Sequence, residues 1–315
     1  MGGSTYDRDV YSGSSSSSWG SSSYSAKKLS SSSLDASLLP NAKFIESKTK
    51  TPIIIVLDVT GSNIEFARVV YDKMPMFYGQ IEQQGYLNDF DISFCAVGDA
   101  YSDRYPLQIC DFAKGLELDS HLEKLVLEGN GGGQTMESYE LMAYYLYKNT
   151  KFAPDSEPII FFIGDEAPYP YVDRDQAKDF DIELEDLALL NPFDYLNKKV
   201  NDNVFMLLNP YCGRRFESSI TNTWINMLAP EHVIKINEEK SVVDLMLGII
   251  AMKSKSRTLA GYIGDMNGRG QTTERIANVK GSLEKLSQSL LPTVVTGNIP
   301  TTFKGKKPPT TGKRL

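Results

Sequence analysis

Between residues 50 and 254 the chain alternates short, wholly apolar runs with longer stretches whose apolar residues recur at helical spacing. Pro52 to Leu57 is apolar throughout and rich in β-branched residues, the pattern of a strand buried on both faces of a parallel sheet. Ile64 to Gln84 follows as a predicted helix, with Phe66, Val69, Val70, Met74 and Phe77 on one face. Pro75 is expected to kink or divide it. Phe90 to Val97 and Pro106 to Phe112 read as strands joined by a polar loop, and Leu118 to Leu127 as a short helix. After the glycines of residues 129–133 the pattern gives helix Met136 to Asn149, strand Pro158 to Ile163, strand Val204 to Leu208 and a helix over Glu217 to Leu228. Strand His232 to Ile236 and helix Val242 to Met252 complete the series. Strands alternating with helices predict an α/β fold: a doubly wound, mostly parallel sheet with helices on both faces, Rossmann-like in class. The predicted domain spans residues 48–254.

The ends of the chain have a different character. Residues 1–40 hold 16 serines and few branched apolar residues to offset the entropy of ordering, so residues 1–47 are expected to form a disordered tail. Residues 255–315 carry one further predicted helix, Thr273 to Leu290, whose Ile276, Val279, Leu283 and Leu286 would dock on the domain or on a partner. A basic Pro/Gly/Thr-rich tail with Lys304, Lys306, Lys307, Lys313 and Arg314 follows. Against 33 basic side chains stand 40 acidic ones, a formal net charge of −7, which argues against general affinity for nucleic acid. No apolar run reaches the ~20 residues a membrane span requires, and the first residues lack the signature of a secretory signal. Cys95, Cys110 and Cys212 are odd in number and widely spaced, which suits reduced thiols and an expected cytoplasmic location.

In a sheet of this kind ligands bind beyond the carboxyl ends of the strands, so the residues just after each apolar run carry the chemistry. The first strand ends in Asp58-Val59-Thr60-Gly61-Ser62, a carboxylate and two hydroxyls at alternate positions. The strand ending at Ile163 is followed by Gly164-Asp165-Glu166. Between them a glycine-rich loop leads into Gln134-Thr135, a hydroxyl at the mouth of a helix. Every one of these donors is oxygen, which suits a hard divalent cation, Mg²⁺ or Mn²⁺, far better than zinc.

These three pieces, in this order, resemble the von Willebrand factor A-type domain and its metal-ion-dependent adhesion site. The resemblance implies a metal site of Asp58, Thr60 and Ser62 from the first strand, Thr135 from the Gly-rich loop and Asp165 from the later strand. It also implies a non-enzymatic binding module in which a partner protein's acidic side chain completes the coordination of Mg²⁺ or Mn²⁺. Intracellular members act as adaptors or scaffolds, some with AAA-type ATPases, so a partner of that kind or a larger assembly is expected. The sequence departs from the commonest pattern in Thr60, which keeps the hydroxyl of a serine, and in Glu166, whose charge would either tighten metal binding or weaken attraction for an acidic partner.

A second resemblance, to phosphoryl-transfer enzymes of the haloacid-dehalogenase type, rests on Asp58-Val59-Thr60-Gly61 and Gly164-Asp165, with Asp58 as the nucleophile. Thr60 stands where those phosphatases have a second aspartate, and Tyr169 where a further metal-binding aspartate is usual. A structural assembly protein with a vestigial metal site is the remaining alternative. Asp99 and Asp103 either rim the same site or serve as ordinary turn acids. His121 and His232, far apart in sequence, support no hydrolytic triad. Tyr139, Tyr144, Tyr145 and Tyr147 share one helix and read as core and rim. The acidic segment Asp173 to Asp186 lacks the spacing of a calcium loop and reads as a solvated insertion.

Overall fold

The computed structural model describes residues 34–128, 136–210 and 216–291. Its strands are β1 (Ile45–Ser47), β2 (Thr51–Asp58), β3 (Phe90–Val97), β4 (Leu107–Ile109), β5 (Met136–Glu137), β6 (Thr150–Phe152), β7 (Ile159–Gly164), β8 (Ala167–Pro168), β9 (Val204–Leu208) and β10 (Val233–Lys235). Its helices are α1 (Ile64–Gln84), α2 (Glu117–Lys124), α3 (Tyr139–Asn149), α4 (Arg174–Asp179), α5 (Asp186–Leu190), α6 (Pro192–Lys199), α7 (Glu217–Met227), α8 (Val242–Lys253), α9 (Leu259–Gly268) and α10 (Thr273–Ser289).

Six strands form the central sheet in the order β10-β9-β7-β2-β3-β4, all parallel except β4, which runs antiparallel to β3 at the edge. β2 is buried at every position because it lies between two parallel neighbours and under helices on both sides. Its side chains alternate between the faces: Ile53, Ile55 and Leu57 pack with α1, α8 and α10, whereas Ile54 and Val56 pack with α3, α6 and α7. The doubly wound α/β class expected from the pattern is the observed one, consistent with a von Willebrand A-like or Rossmann-like fold.

Pro75 does not divide α1, which runs unbroken from Ile64 to Gln84. Val70, Met74, Phe77 and Ile81 are buried along this helix, so packing outweighs the local cost of proline, about 3 kcal/mol in a helix interior. The packed body also begins earlier than residue 48. Leu34 and Leu38 join the core, and β1 pairs with β6 in register Ile45 to Thr150. Cys95 and Cys110 are buried and free, while Cys212 lies outside the described residues, as do the serine runs and the basic tail. No helix among the described residues is long and apolar enough to cross a membrane.

Beyond α8 the chain stays on the domain. α9, which the apolar pattern did not single out, and α10 pack on α8, and Tyr262, Met266, Val279, Leu283 and Leu286 enter the same core as the sheet. Gly248 of α8 permits this contact, since a Cβ there would meet Leu283 Cδ1 at 2.5 Å and Tyr262 Cε1 at 2.8 Å. A buried ion pair, Arg269 Nη2 to Asp244 Oδ1 at 3.3 Å, ties the turn after α9 to α8. Leu283→Ala is therefore expected to destabilise the whole domain by about 2–5 kcal/mol, read as a lowered urea midpoint of a single transition. An unchanged midpoint would show α10 to be peripheral.

Candidate metal centre

Asp58 closes β2 at the carboxyl edge of the sheet and is fully buried. Its Oδ1 accepts bonds from the Thr60 backbone N–H at 2.9 Å and the Thr60 hydroxyl at 2.6 Å, so the turn of residues 58–62 closes upon its own first residue. Its Oδ2 accepts the Tyr139 hydroxyl at 2.6 Å. Asn63 donates to the Asp58 carbonyl at 3.1 Å and fastens the turn to the start of α1. β7 lies beside β2 and delivers Asp165 to the same edge, where its Oδ1 accepts the Ser62 hydroxyl at 3.1 Å. Four of the five residues named from the sequence, Asp58, Thr60, Ser62 and Asp165, are thus brought together. The fifth, Thr135, lies outside the described residues.

Gly164, the last residue of β7, is required by the closeness of these segments. A Cβ built there would meet the Tyr139 hydroxyl and lie 2.9 Å from both Cβ and Oδ2 of Asp58. Asp99 and Asp103 act as turn acids: Asp99 accepts the Tyr101 N–H at 3.0 Å, the Ser102 hydroxyl at 3.1 Å and the Tyr169 hydroxyl at 3.1 Å, and Asp103 Oδ2 accepts the Asp99 N–H at 2.7 Å. They also border the site, for Asp103 acts electrostatically on Asp58, and both act on Glu137.

Two acids join the site without having been named from the sequence for it, Glu137 by omission and Glu166 only as an added charge. β5 pairs with β8, setting Glu137 beside Pro168, and the Trp224 indole donates to the Glu166 carbonyl at 2.8 Å. Both glutamates are buried. The signal for Glu137 lies in its position, two residues beyond Thr135 at the foot of an apolar helix. Tyr139 belongs to the core, as read, and also donates to Asp58.

Electrostatically the edge is frustrated. Burial raises the Asp58 carboxyl above its ordinary range, against the bonds from Thr60 and Tyr139. Burial, then Asp58 and Glu166, push Asp165 up to about 8. Burial, then Asp58, push Glu166 up to about 7, and burial, Asp58 and Glu166 push Glu137 up to about 11. Among the described residues no Lys, Arg or His forms an ion pair with any of the four. Buried carboxylates without a counter-charge are costly. Removing the donor to one of them adds to that cost, so Tyr139→Phe is expected to destabilise the chelated protein by about 1–3 kcal/mol. Thermal melting in EDTA measures it, and an unchanged midpoint would mean that the bond contributes nothing.

The residues present fit a divalent cation. Their donors are all oxygen, and among the described residues Glu137 Oε2 and Glu166 Oε2 are buried with no hydrogen-bond partner. Among the described residues no three His, Cys, Asp or Glu side chains converge as a ready-made cage. A hard ion here would be held by a pair of carboxylates, hydroxyls and retained waters, as Mg²⁺ commonly is.

No protein-family description matches the chain, and no curated protein does. Among solved structures it is similar to proximal thread matrix protein 1 of the mussel byssus, at 11% identity and TM-score 0.42 over 65% of this chain and 49% of that one. Another structure of that protein is described as having a zinc-occupied MIDAS motif and aligns at 12% identity and TM-score 0.40, covering 65% of this chain and 49% of that one. The pilus adhesin SpaC of Lactobacillus rhamnosus GG aligns at 11% identity and TM-score 0.45, over 69% of this chain and 30% of that one. The chain spans about half or less of these proteins' lengths, and likenesses this distant do not bear on activity.

Proposed function

We propose that the chain is a non-enzymatic protein-binding module that depends on a divalent cation, Mg²⁺ or Mn²⁺, held at Asp58, Thr60, Ser62, Thr135 and Asp165. The observation that carries this reading is the convergence of buried carboxylates at one sheet edge, which among the described residues have no ion-pair partner and leave carboxylate oxygens unbonded. Such an arrangement is unfavourable alone and favourable around a cation. The ion would supply a Lewis-acidic position that a partner's Asp or Glu completes, while Thr60 and Tyr139 hold the Asp58 carboxylate in place.

The state of Asp58 supports binding over phosphoryl transfer. A nucleophilic carboxylate must be open to its substrate for in-line attack, and the Asp58 side chain is wholly buried; its bonds from Thr60 and Tyr139 leave a lone pair on Oδ2 for an ion or a bridging water. The test is affinity capture with the full chain, in Mg²⁺ and in EDTA, beside Asp58→Asn. Proteins retained in Mg²⁺ and released by both EDTA and the substitution are the expected result. Retention indifferent to both, or a hydroxylamine-sensitive phosphoryl label on Asp58, would overturn the reading.

A further inference from the structure

The acidic segment Asp173 to Asp186, read from the sequence as a solvated insertion, is a packed part of the domain. Val172, Ala177, Ile182, Ala188 and Leu189 are buried in the core on the α3 side, and the Tyr144 hydroxyl donates to the Glu183 carbonyl and accepts the Glu185 N–H, both at 2.7 Å. Between α4 and α5 this frame leaves an open groove of about 590 Å³. Its apolar side is formed by Tyr171, Val172, Leu189 and Leu190, of which Tyr171 and Leu190 are 56% and 57% exposed. Leu187, one turn back on α5, is exposed as well. Large apolar side chains left to water beside a concavity mark a contact surface.

The charge around the groove defines what it fits. Residues 173–186 hold seven acids against two bases. Both bases are already engaged, Arg174 with Asp186 at 2.5 Å and Lys178 with Asp175 at 3.0 Å, and Lys148 of α3 takes Glu183 at 3.1 Å. Asp173, on the groove wall, has no ion pair among the described residues. It acts electrostatically on Tyr101, as does Tyr171, so two exposed tyrosine rings flank it. An acid beside two such rings is a seat for a guanidinium or an ammonium group, through ion pairing and cation–π contact. The groove also adjoins the sheet edge. Tyr169 packs against Tyr101 at 4.9 Å, and Tyr171 stands six residues beyond Asp165, a span of at most roughly 22 Å for an extended chain.

We propose that the groove between α4 and α5 docks a partner segment in which leucine-sized apolar residues adjoin an Arg or Lys, the apolar side chains lying between Tyr171 and Leu190 and the cation beside Asp173, Tyr101 and Tyr171. The same partner supplies the acid at the sheet edge, a step that rests on the metal-dependent reading above. That acid then stands within about seven extended residues of the groove.

The probes are two fluorescein-labelled peptides, Gly-Ser-Leu-Leu-Arg-Arg-Ser-Gly and the same sequence with Glu-Glu in place of Arg-Arg, titrated with the full chain and read by anisotropy. The Arg peptide is expected to bind about tenfold more tightly than the Glu peptide, equally in Mg²⁺ and in EDTA. Asp173→Asn, which keeps the N-cap of α4 and removes the charge, and Tyr171→Ser/Leu190→Ser, at exposed positions, should each weaken it about tenfold while circular dichroism stays unchanged. Equal affinity for the two peptides, or binding unmoved by these substitutions, would overturn the docking site. Displacement of the Arg peptide by residues 299–311 of this chain, which hold Phe303, Lys304, Lys306 and Lys307, at a lower concentration than by the unlabelled Arg peptide would assign the groove to the chain itself and overturn the partner. An Asp joined to the Arg peptide through a Gly/Ser spacer of about six residues separates the two readings, since its gain in affinity should appear in Mg²⁺ and vanish in EDTA. If the Arg preference holds and that gain is absent, the groove stands and the metal-dependent step fails; if the gain appears and the Arg preference is absent, only the groove falls.

Discussion

Gly164→Ala is expected to abolish cation binding and to destabilise the domain by about 3 kcal/mol, the upper part of the range for overpacking. The added methyl would meet the Tyr139 hydroxyl and stand 2.9 Å from Asp58 Oδ2. Neither neighbour can withdraw easily. Tyr139 is enclosed by Phe162 at 6.4 Å and Trp224 at 5.2 Å, and Asp58 is fixed by its strand and by Thr60. Relief therefore requires β7 to move away from β2, which displaces Asp165 from Ser62. The measurements are a urea titration and a Mn²⁺ titration of the same variant. Wild-type affinity in a folded Gly164→Ala protein would mean that the carboxylates do not depend on this close approach.

The second large effect concerns pH in the absence of metal. Unfolded carboxylates ionise near 4, whereas in the folded chain Asp165 is pushed up to about 8, Glu166 to about 7 and Glu137 to about 11. Between these limits the folded state binds more protons than the unfolded state, so its stability falls as the pH rises. Other groups bound the useful window. Burial lowers the His232 and His121 pKa, so acidification through 6.5 also destabilises the fold, and burial lowers Lys199 to about 8, whose effect has the opposite sign from there upward. From pH 6.5 to 8 the carboxylates dominate. In EDTA the loss over that window is expected to be about 2–4 kcal/mol, at up to 1.36 kcal/mol per unit for each group still protonated in the fold. In saturating Mg²⁺ the slope should become shallower, because the cation favours the ionised carboxylates, while Glu140, which burial holds well above its ordinary range, keeps its own share. Melting temperatures at three pH values, with and without chelator, measure this. A flat profile in EDTA would remove the electrostatic description of the site.

The order of elements and the sheet class were legible because β2, β3, β7 and β9 are short apolar runs separated by helical periodicity, a pattern set by burial on both faces. The Asp58 turn and Asp165 were legible because chemistry in such sheets gathers where strands end. Other features depend on contacts distant in sequence. The continuity of α1 through Pro75 follows from its packing on the sheet, which a local rule for proline does not contain. The joining of α9 to the core follows from Gly248 and from the pairing of Asp244 with Arg269, 25 residues apart. Glu137 stands two residues beyond Thr135, a position that by itself does not mark it as facing the site. It becomes part of the site only because β5 pairs with β8, a two-residue ladder too short to leave a periodic signature.

The most direct test of the account is a calorimetric titration of Mn²⁺ into wild type and into Asp58→Asn at neutral pH, with circular dichroism to show that both are folded. The substitution keeps an acceptor for Thr60 and removes one charge from the centre of the edge. Binding to wild type, and its loss or a weakening of about a hundredfold in the variant, is the result predicted; at 1.4 kcal/mol per tenfold that corresponds to about 2.8 kcal/mol. Equal affinity in the two proteins, or no binding to wild type at millimolar Mn²⁺, would contradict it.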